Sequence, residues 1–231
     1  INTINLLEVP NQTFLEAIQI DSPASESIKR RLLSLKKSKN LNLSFESIAT
    51  HDVANSIDNI TGQRKCKWLV LEWDGRENSG IFIGNPVGWL LKNVNSSLAL
   101  FKDNGVRSFS RILIALRPGR RNQKFIDIAD KICFHYGASL TLLNIISENQ
   151  QESVSLKKTS EELLLLTKSK SELKIIKSND PVETISEESA SYDLLILGTP
   201  EKDNWIRVLF SASEDKFVKM AACSVLRLTI K

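Results

Sequence analysis

Cysteine, histidine, glycine and proline are all scarce in this chain of 231 residues, and each shortage closes off a class of protein. The three cysteines, Cys66, Cys133 and Cys223, are odd in number and widely spaced, with no C-x-x-C pair. That excludes a disulfide framework and a thiol redox motif. Two histidines, His51 and His135, cannot complete a zinc site with these thiols at any familiar spacing. Nine glycines and six prolines leave no room for long linkers or low-complexity tracts. Excess charge of one sign is missing too: 31 basic and 27 acidic side chains give a net charge of only +4. A dedicated nucleic-acid binder shows a denser basic face, so no nucleic-acid partner is expected. No run approaches the roughly 18 apolar residues that cross a bilayer. The N-terminus carries no signal-peptide pattern, and the lack of an initiator methionine implies a fragment. Reduced thiols fit a cytosolic chain.

What remains is ordinary globular material, 42% hydrophobic and 25% charged. The C-terminal half alternates cleanly. Residues 111–116 (RILIAL) form a short apolar run of buried-strand type, stopped by Pro118 and Gly119. Phe125, Ile128, Ala129, Ile132, Cys133 and Tyr136 then recur at helical spacing, and Gly137 supplies the stop. Residues 139–145 (SLTLLNI) predict the next strand. A charged helix over 152–168 would turn Leu156, Leu163 and Leu166 inward, and Leu173 to Ile176 predicts a third strand. Asp180-Pro181-Val182-Glu183 is a helix start, with Asp180 as cap, Pro181 in the first position and Glu183 closing a capping box. Residues 193–198 (DLLILG) form an apolar strand ended by glycine. A last helix runs to about Ala222, and Ser224 to Leu228 closes the chain. Such alternation implies right-handed crossovers and a parallel sheet with helices on both faces.

The N-terminal half repeats this order. Thr3 to Val9 matches Ser139 to Ile145, and Asn42 to Phe45 matches Glu172 to Ile175. Trp68 to Leu71 matches Leu194 to Leu197, and Ser97 to Leu100 matches Ser224 to Arg227. The offsets lie near about 130 residues and drift by about ten, as loop insertions would cause. The chain therefore reads as α/β, with two tandem parallel-sheet domains, residues 1–104 and 105–231, divided at the turn-forming Asp103-Asn104-Gly105. The first copy has no counterpart of 111–136, so a strand and a helix of about 27 residues are missing from it. The apolar edge strands that end the copies, 97–101 and 224–230, need covering, within the chain or across a dimer.

Residues 111–230 resemble the universal stress protein family, and residues 3–101 do so less closely. The features are the first strand Ile112–Leu116, the fourth strand ending at Gly198, the segment Val208-Leu209-Phe210-Ser211, and the last strand entered through Cys223-Ser224-Val225-Leu226. The resemblance implies a Rossmann-like fold. In nucleotide-binding members an aspartate follows the first strand, and a G-x-x-G-x9-G-[ST] loop follows the fourth. Glycines suit such a loop because backbone amides must approach the phosphates. Here the aspartate position holds Arg117. Gly198 stands, but the later glycines are replaced by Glu201 and Ser211, and a carboxylate at Glu201 would repel a triphosphate. The first copy keeps Gly84-Asn85, yet its loop opens on Glu72-Trp73-Asp74. Both nucleotide sites read as eroded, and no cofactor is expected.

Duplication, a lost phosphate loop and N-terminal truncation together are similar to the cytosolic C-terminal region of prokaryotic cation–chloride cotransporters, within the amino acid–polyamine–organocation superfamily. Trp205 to Phe210 and Ser224 to Leu228 add to that likeness. It implies a regulatory, homodimerising module on the cytoplasmic face of the cell membrane, with the rest of the transporter as its partner and no chemistry of its own. The alternative is a stand-alone tandem stress protein that binds ATP.

Local features carry two readings each. Arg117, Arg120, Arg121 and Lys124 lie in a loop that leaves a strand's carboxyl end and enters a helix, where parallel sheets bind anions; with Gly198 they are the candidate anion or nucleotide site, or simply a solvated basic loop. Lys29, Arg30, Arg31, Lys36, Lys37 and Lys39 surround Leu32, Leu33 and Leu35; this run either meets anionic lipid or is the exposed face of a surface helix. Trp68 and Trp205 are expected in the core, whereas Trp73 and Trp89 fit core or interface. Cys133 and Cys223 are expected as buried small hydrophobes. His51 and His135 have no G-x-S-x-G elbow or partnered cysteine, and no carboxylate pair has glycosidase spacing. An enzyme is not expected.

Overall fold

Apolar strands and amphipathic helices alternate along the chain in the computed structural model, which describes residues 1–18, 22–72, 89–90, 93–116, 122–148, 154–198 and 217–231. The order is β1 (Asn2–Glu8), a 3-10 turn (Leu15–Ala17), α1 (Pro23–Ser38), β2 (Ser44–Thr50), α2 (Val53–Gln63), β3 (Trp68–Glu72) and β4 (Ser97–Lys102). It continues with β5 (Arg111–Ala115), α3 (Asn122–Tyr136), β6 (Ser139–Ile146), α4 (Val154–Leu164), β7 (Ser171–Lys177), α5 (Pro181–Ser189), β8 (Leu194–Gly198) and β9 (Ser224–Thr229). The chain divides into two compact units, one of Ile1–Lys65 with Gly84–Val94 and one of Cys66–Ile83 with Asn95–Lys231.

The first unit holds a two-stranded parallel sheet in which Asn2 to Glu8 face Ser44 to Thr50. Its helices begin where the side chains can satisfy orphan amides. The Ser22 hydroxyl accepts from the Ser25 amide, with Pro23 at the first position of α1, and Asp52 accepts from the Asn55 amide at 3.0 Å to start α2. Ser25 is tied to Ser47 of β2 through their hydroxyls, 2.6 Å apart. Leu43, Ile57, Leu90 and Val94 are its buried apolar side chains among the described residues.

The second unit is a seven-stranded sheet in the order β3-β4-β9-β8-β5-β6-β7. Every pair is parallel except β4 with β9, which run antiparallel from Leu98 opposite Thr229 to Lys102 opposite Val225. The two apolar strands expected to need cover thus cover each other within the chain. Side chains at the end of β4 tie the pair to the approach to β9. Lys102 donates to the Val218 carbonyl at 2.8 Å, and the Asn104 amide donates to the carbonyls of Ala221 and Cys223.

Successive residues of a strand point to opposite faces, so each central strand feeds two cores. Ile112, Ile114, Leu140, Leu142, Leu194 and Ile196 pack with Phe125, Ile126, Ala129 and Cys133 of α3 and Leu164 of α4. On the other face Leu113, Leu143, Leu195 and Val225 pack with Ile185 of α5 and Val218. Each buried Leu or Ile contributes about 1.5–3 kcal/mol. The mostly parallel sheet with helices on both faces is the α/β architecture that the alternation implied.

Five local expectations change. Trp68 is 40% exposed rather than core, because β3 is the outer strand of its sheet. The inward residue near the end of α4 is Leu164, while Leu166 is 64% exposed, because the helix stops at Leu164. Tyr136, at the last turn of α3, is 52% exposed and meets Phe109 edge-on. No capping box closes at α5: Asp180 accepts from the Val182 and Glu183 amides, but its own amide donates to Ser178 Oγ. The segment before β9 is helical only over 217–220 among the described residues, not to Ala222.

Candidate functional site

In a parallel sheet, ligands gather beyond the carboxyl ends of the strands. Here those ends belong to β5 and β8, paired from Ile112 opposite Leu194 to Ala115 opposite Leu197. Arg117, Arg120 and Arg121 lie outside the described residues, as do Glu201, Ser211, Gly84, Asn85, Asp74, Trp73 and Trp205. Gly198 is described, and its surroundings give it a packing role. A Cβ on Gly198 would stand 3.0 Å from Leu116 Cδ2 and 3.0 Å from Phe125 Cε2. Both neighbours are buried, Leu116 just past β5 and Phe125 in the first turn of α3. The missing side chain lets the start of α3 close down on the end of β8. A glycine at this position therefore follows from helix–sheet contact alone, with no phosphate required.

The polar groups near α3 are satisfied by the fold itself. Asp130 sits in the apolar stripe of α3, 9% exposed, and its carboxylate accepts from the backbone amides of Lys168 and Ser169 at 2.9–3.1 Å. Burial alone would push this carboxyl up, but the amide donors of Ser169 and Lys168 outweigh it and hold it below the usual carboxylate range. Asp130 thus pins the turn between α4 and β7. Sequence reading missed it, although an acid in the middle of a helical apolar stripe was a visible signal.

The other candidates are placed as follows. Cys133 and Cys223 are buried, and desolvation pushes their thiols up to about 12 and about 11. Such thiols are poor nucleophiles, in keeping with their reading as small hydrophobes. His51 Nδ1 lies 3.2 Å from the Val9 carbonyl, and the His135 ring meets Tyr136 edge-on. Among the described residues no group of three or more His, Cys, Asp or Glu side chains could hold a metal ion. The basic run lies on α1, with Lys39 just past its end. Arg30, Arg31, Lys36, Lys37 and Lys39 are exposed, and Lys29 pairs with Glu26 at 3.0 Å. Trp89 is 37% exposed. An open groove of about 810 Å³ between α4 and β7 is lined by Lys157, Glu161, Leu165, Glu172 and Leu173 among others. No helix among the described residues is long and apolar enough to cross a membrane.

Comparison with known proteins places the architecture. No protein family matches the sequence, and no curated protein matches it. Solved structures do match the fold. A universal stress protein from Archaeoglobus fulgidus DSM 4304 aligns with TM-score 0.67 at 15% identity, covering 98% of this chain and 85% of that one. The putative universal stress protein from Pseudomonas aeruginosa UCBPP-PA14 aligns with TM-score 0.60 at 10% identity, covering 99% and 92%. The cytoplasmic domain of a prokaryotic cation chloride cotransporter aligns with TM-score 0.57 at 14% identity, covering 99% and 84%. The fold is universal-stress-protein-like, and one structure sharing it is a transporter's cytoplasmic domain.

Proposed function

We propose that this chain is a non-catalytic regulatory and dimerisation module on the cytoplasmic face of a membrane transporter of the cation–chloride cotransporter type. It would consist of two degenerate copies of the stress-protein domain, divided near Asn104. The observation that supports this reading is the fold likeness to the cotransporter's cytoplasmic domain along nearly the whole chain. The loss of phosphate-loop residues at Arg117, Glu201 and Ser211 agrees with it, as does the tight seat of Gly198 against Leu116 and Phe125. In that setting the exposed cations of α1 would face anionic lipid, each gaining roughly 1 kcal/mol near the surface. Because β4 and β9 are spent on each other, a homodimer would use a different surface.

A gene with about a dozen apolar spans ahead of Ile1 is the expected finding, each span about 20 residues long. Sedimentation at micromolar concentration should show a dimer, and a strictly monomeric species would remove that part of the proposal. Flotation with phosphatidylserine vesicles should retain the chain, and Lys36→Glu with Lys37→Glu should release it.

The second reading, a stand-alone tandem stress protein that binds ATP, is favoured by the higher similarity to the Archaeoglobus stress protein. Calorimetric titration with millimolar Mg-ATP separates the two. The first reading expects neither heat nor a thermal shift. Saturable heat would favour the second.

A further inference from the structure

The β1–α1–β2 unit has the same order and the same parallel pairing as β6–α4–β7. Its surroundings are unlike. β6 has a strand on each side, β5 and β7, while β1 pairs only with β2 among the described residues. The helix α3 that follows β5 packs against β6 and touches α4. In the first unit the corresponding faces are partly open among the described residues: Leu7 of β1 is 39% exposed, and Ile28 and Leu35, on one flank of α1, are 41% and 47% exposed. Their counterparts are covered, with Leu140, Leu142 and Leu143 of β6 at 0–1% and Leu163 and Leu164 of α4 packed in the core around α3.

Strand edges that face solvent are normally guarded by charge, proline or a bulge. β7, the outer strand beyond β6, follows this rule with Glu172, Lys174 and Lys177. β1 follows it only at its last residue, Glu8: Asn2 to Leu7 is uncharged and proline-free, with three apolar residues in six. Along those six residues the edge carries no such guard.

We infer that the open edge of β1 and the exposed Ile28–Leu35 flank of α1 form a docking face for one kind of occupant: a short apolar strand, added in parallel, followed by an amphipathic helix. The chain contains the template of that occupant. β5 and α3 fill the equivalent place beside β6 and α4, where Ile112 and Ile114 are fully buried and Phe125, Ala129 and Cys133 seal the helix. Strand addition of this sort draws affinity from main-chain hydrogen bonds and specificity from the side chains that alternate between faces.

The experiment adds a copy of residues 106–137 directly ahead of Ile1 in the full chain and follows amide hydrogen exchange. Pairing should slow exchange in the peptide spanning 2–8 on the order of tenfold, with β6 and β8 unchanged as the control for an intact second unit. A fusion whose added copy carries Ile112→Pro and Ile114→Pro should exchange like the parent chain. As a second format, the same 106–137 segment is titrated in trans as a synthetic peptide; saturable protection of residues 2–8, absent with the doubly proline-substituted peptide, supports the inference. No protection in either format overturns it. Equal protection by the proline versions also overturns it. So does a parent chain that is dimeric with β1 already protected, because a second copy would then own the edge.

Discussion

Thr3-Ile4-Asn5-Leu6-Leu7 in β1 and Ser139-Leu140-Thr141-Leu142-Leu143 in β6 are strands of nearly the same composition, yet they live in different environments. β6 is almost wholly buried; in β1 no residue is. The difference lies in the neighbours. β5 flanks β6 on one edge, and α3 lies over its face, whereas among the described residues β1 pairs with β2 alone. β8 and β3 repeat the contrast. β8 lies between β5 and β9 with Leu194, Leu195 and Ile196 buried, while β3 is outermost, with Val70 66% exposed. Apolar composition makes a strand eligible for a core, and only a second layer puts it there.

The largest test of this contrast is a matched pair of truncations. Leu142→Ala should cost about 3 kcal/mol, because a sealed core cannot collapse onto the cavity. Leu6→Ala, at the matching place in β1, should cost under about 1 kcal/mol, since less surface leaves water on folding. Urea unfolding of both variants measures the gap, and equal costs would break the comparison.

Next in size is Asp130. Asp130→Ala leaves the amides of Lys168 and Ser169 without their acceptor and should cost about 2 kcal/mol. The sign with pH follows from its lowered pKa. The carboxylate's contribution is present above the unfolded value of 3.8 and is lost as pH falls through the lower folded value. Asp130→Asn should therefore show a shallower loss of stability below about pH 4 than the parent, by urea midpoints measured across that range. The exposed cap Asp52 of the first unit is also held low, chiefly by the Asn55 amide, and its removal should matter less.

Two glycines sharpen the contrast further. Gly198→Ala pushes a methyl to 3.0 Å from Leu116 and Phe125 and should destabilise by about 1–2 kcal/mol, with partial recovery when Phe125→Leu is added. Gly62→Ala in α2 meets nothing within 4 Å and should instead stabilise, by up to about 1 kcal/mol. Thermal melts of the two variants should move in opposite directions. The smallest effect is chemical. At pH 8 Cys66, the partly exposed thiol, should alkylate first, with Cys133 and Cys223 silent until the chain unfolds. Iodoacetamide labelling followed by peptide mapping reads the order.

Much of the fold was legible because its local signals agree with its tertiary outcome. Asp180-Pro181 starts α5, and Gly137 ends α3 with φ at 67°. The apolar runs 111–116 and 193–198 became two adjacent central strands, the second ending at Gly198. Three of the misread positions share one cause. Trp68, Leu166 and Tyr136 carry the composition of buried residues, but each lies where its element becomes outermost or ends. The candidate site was legible in part: the sequence marked Gly198, but the reason for a glycine there, Phe125 and Leu116 pressing on it, is a contact between elements distant in sequence.

By itself, the sequence determined the alternating α/β pattern, the helix start at Asp180-Pro181 and the helix stop at Gly137, since each depends on residues within a turn or two of one another. The tertiary structure alone decided that β4 and β9 run antiparallel and close each other's edges, that Asp130 clamps a turn 38 residues away, and that β1 has one neighbouring strand among the described residues. Those outcomes depend on which surfaces meet, and periodicity along one strand or helix carries no information about the element on its far side.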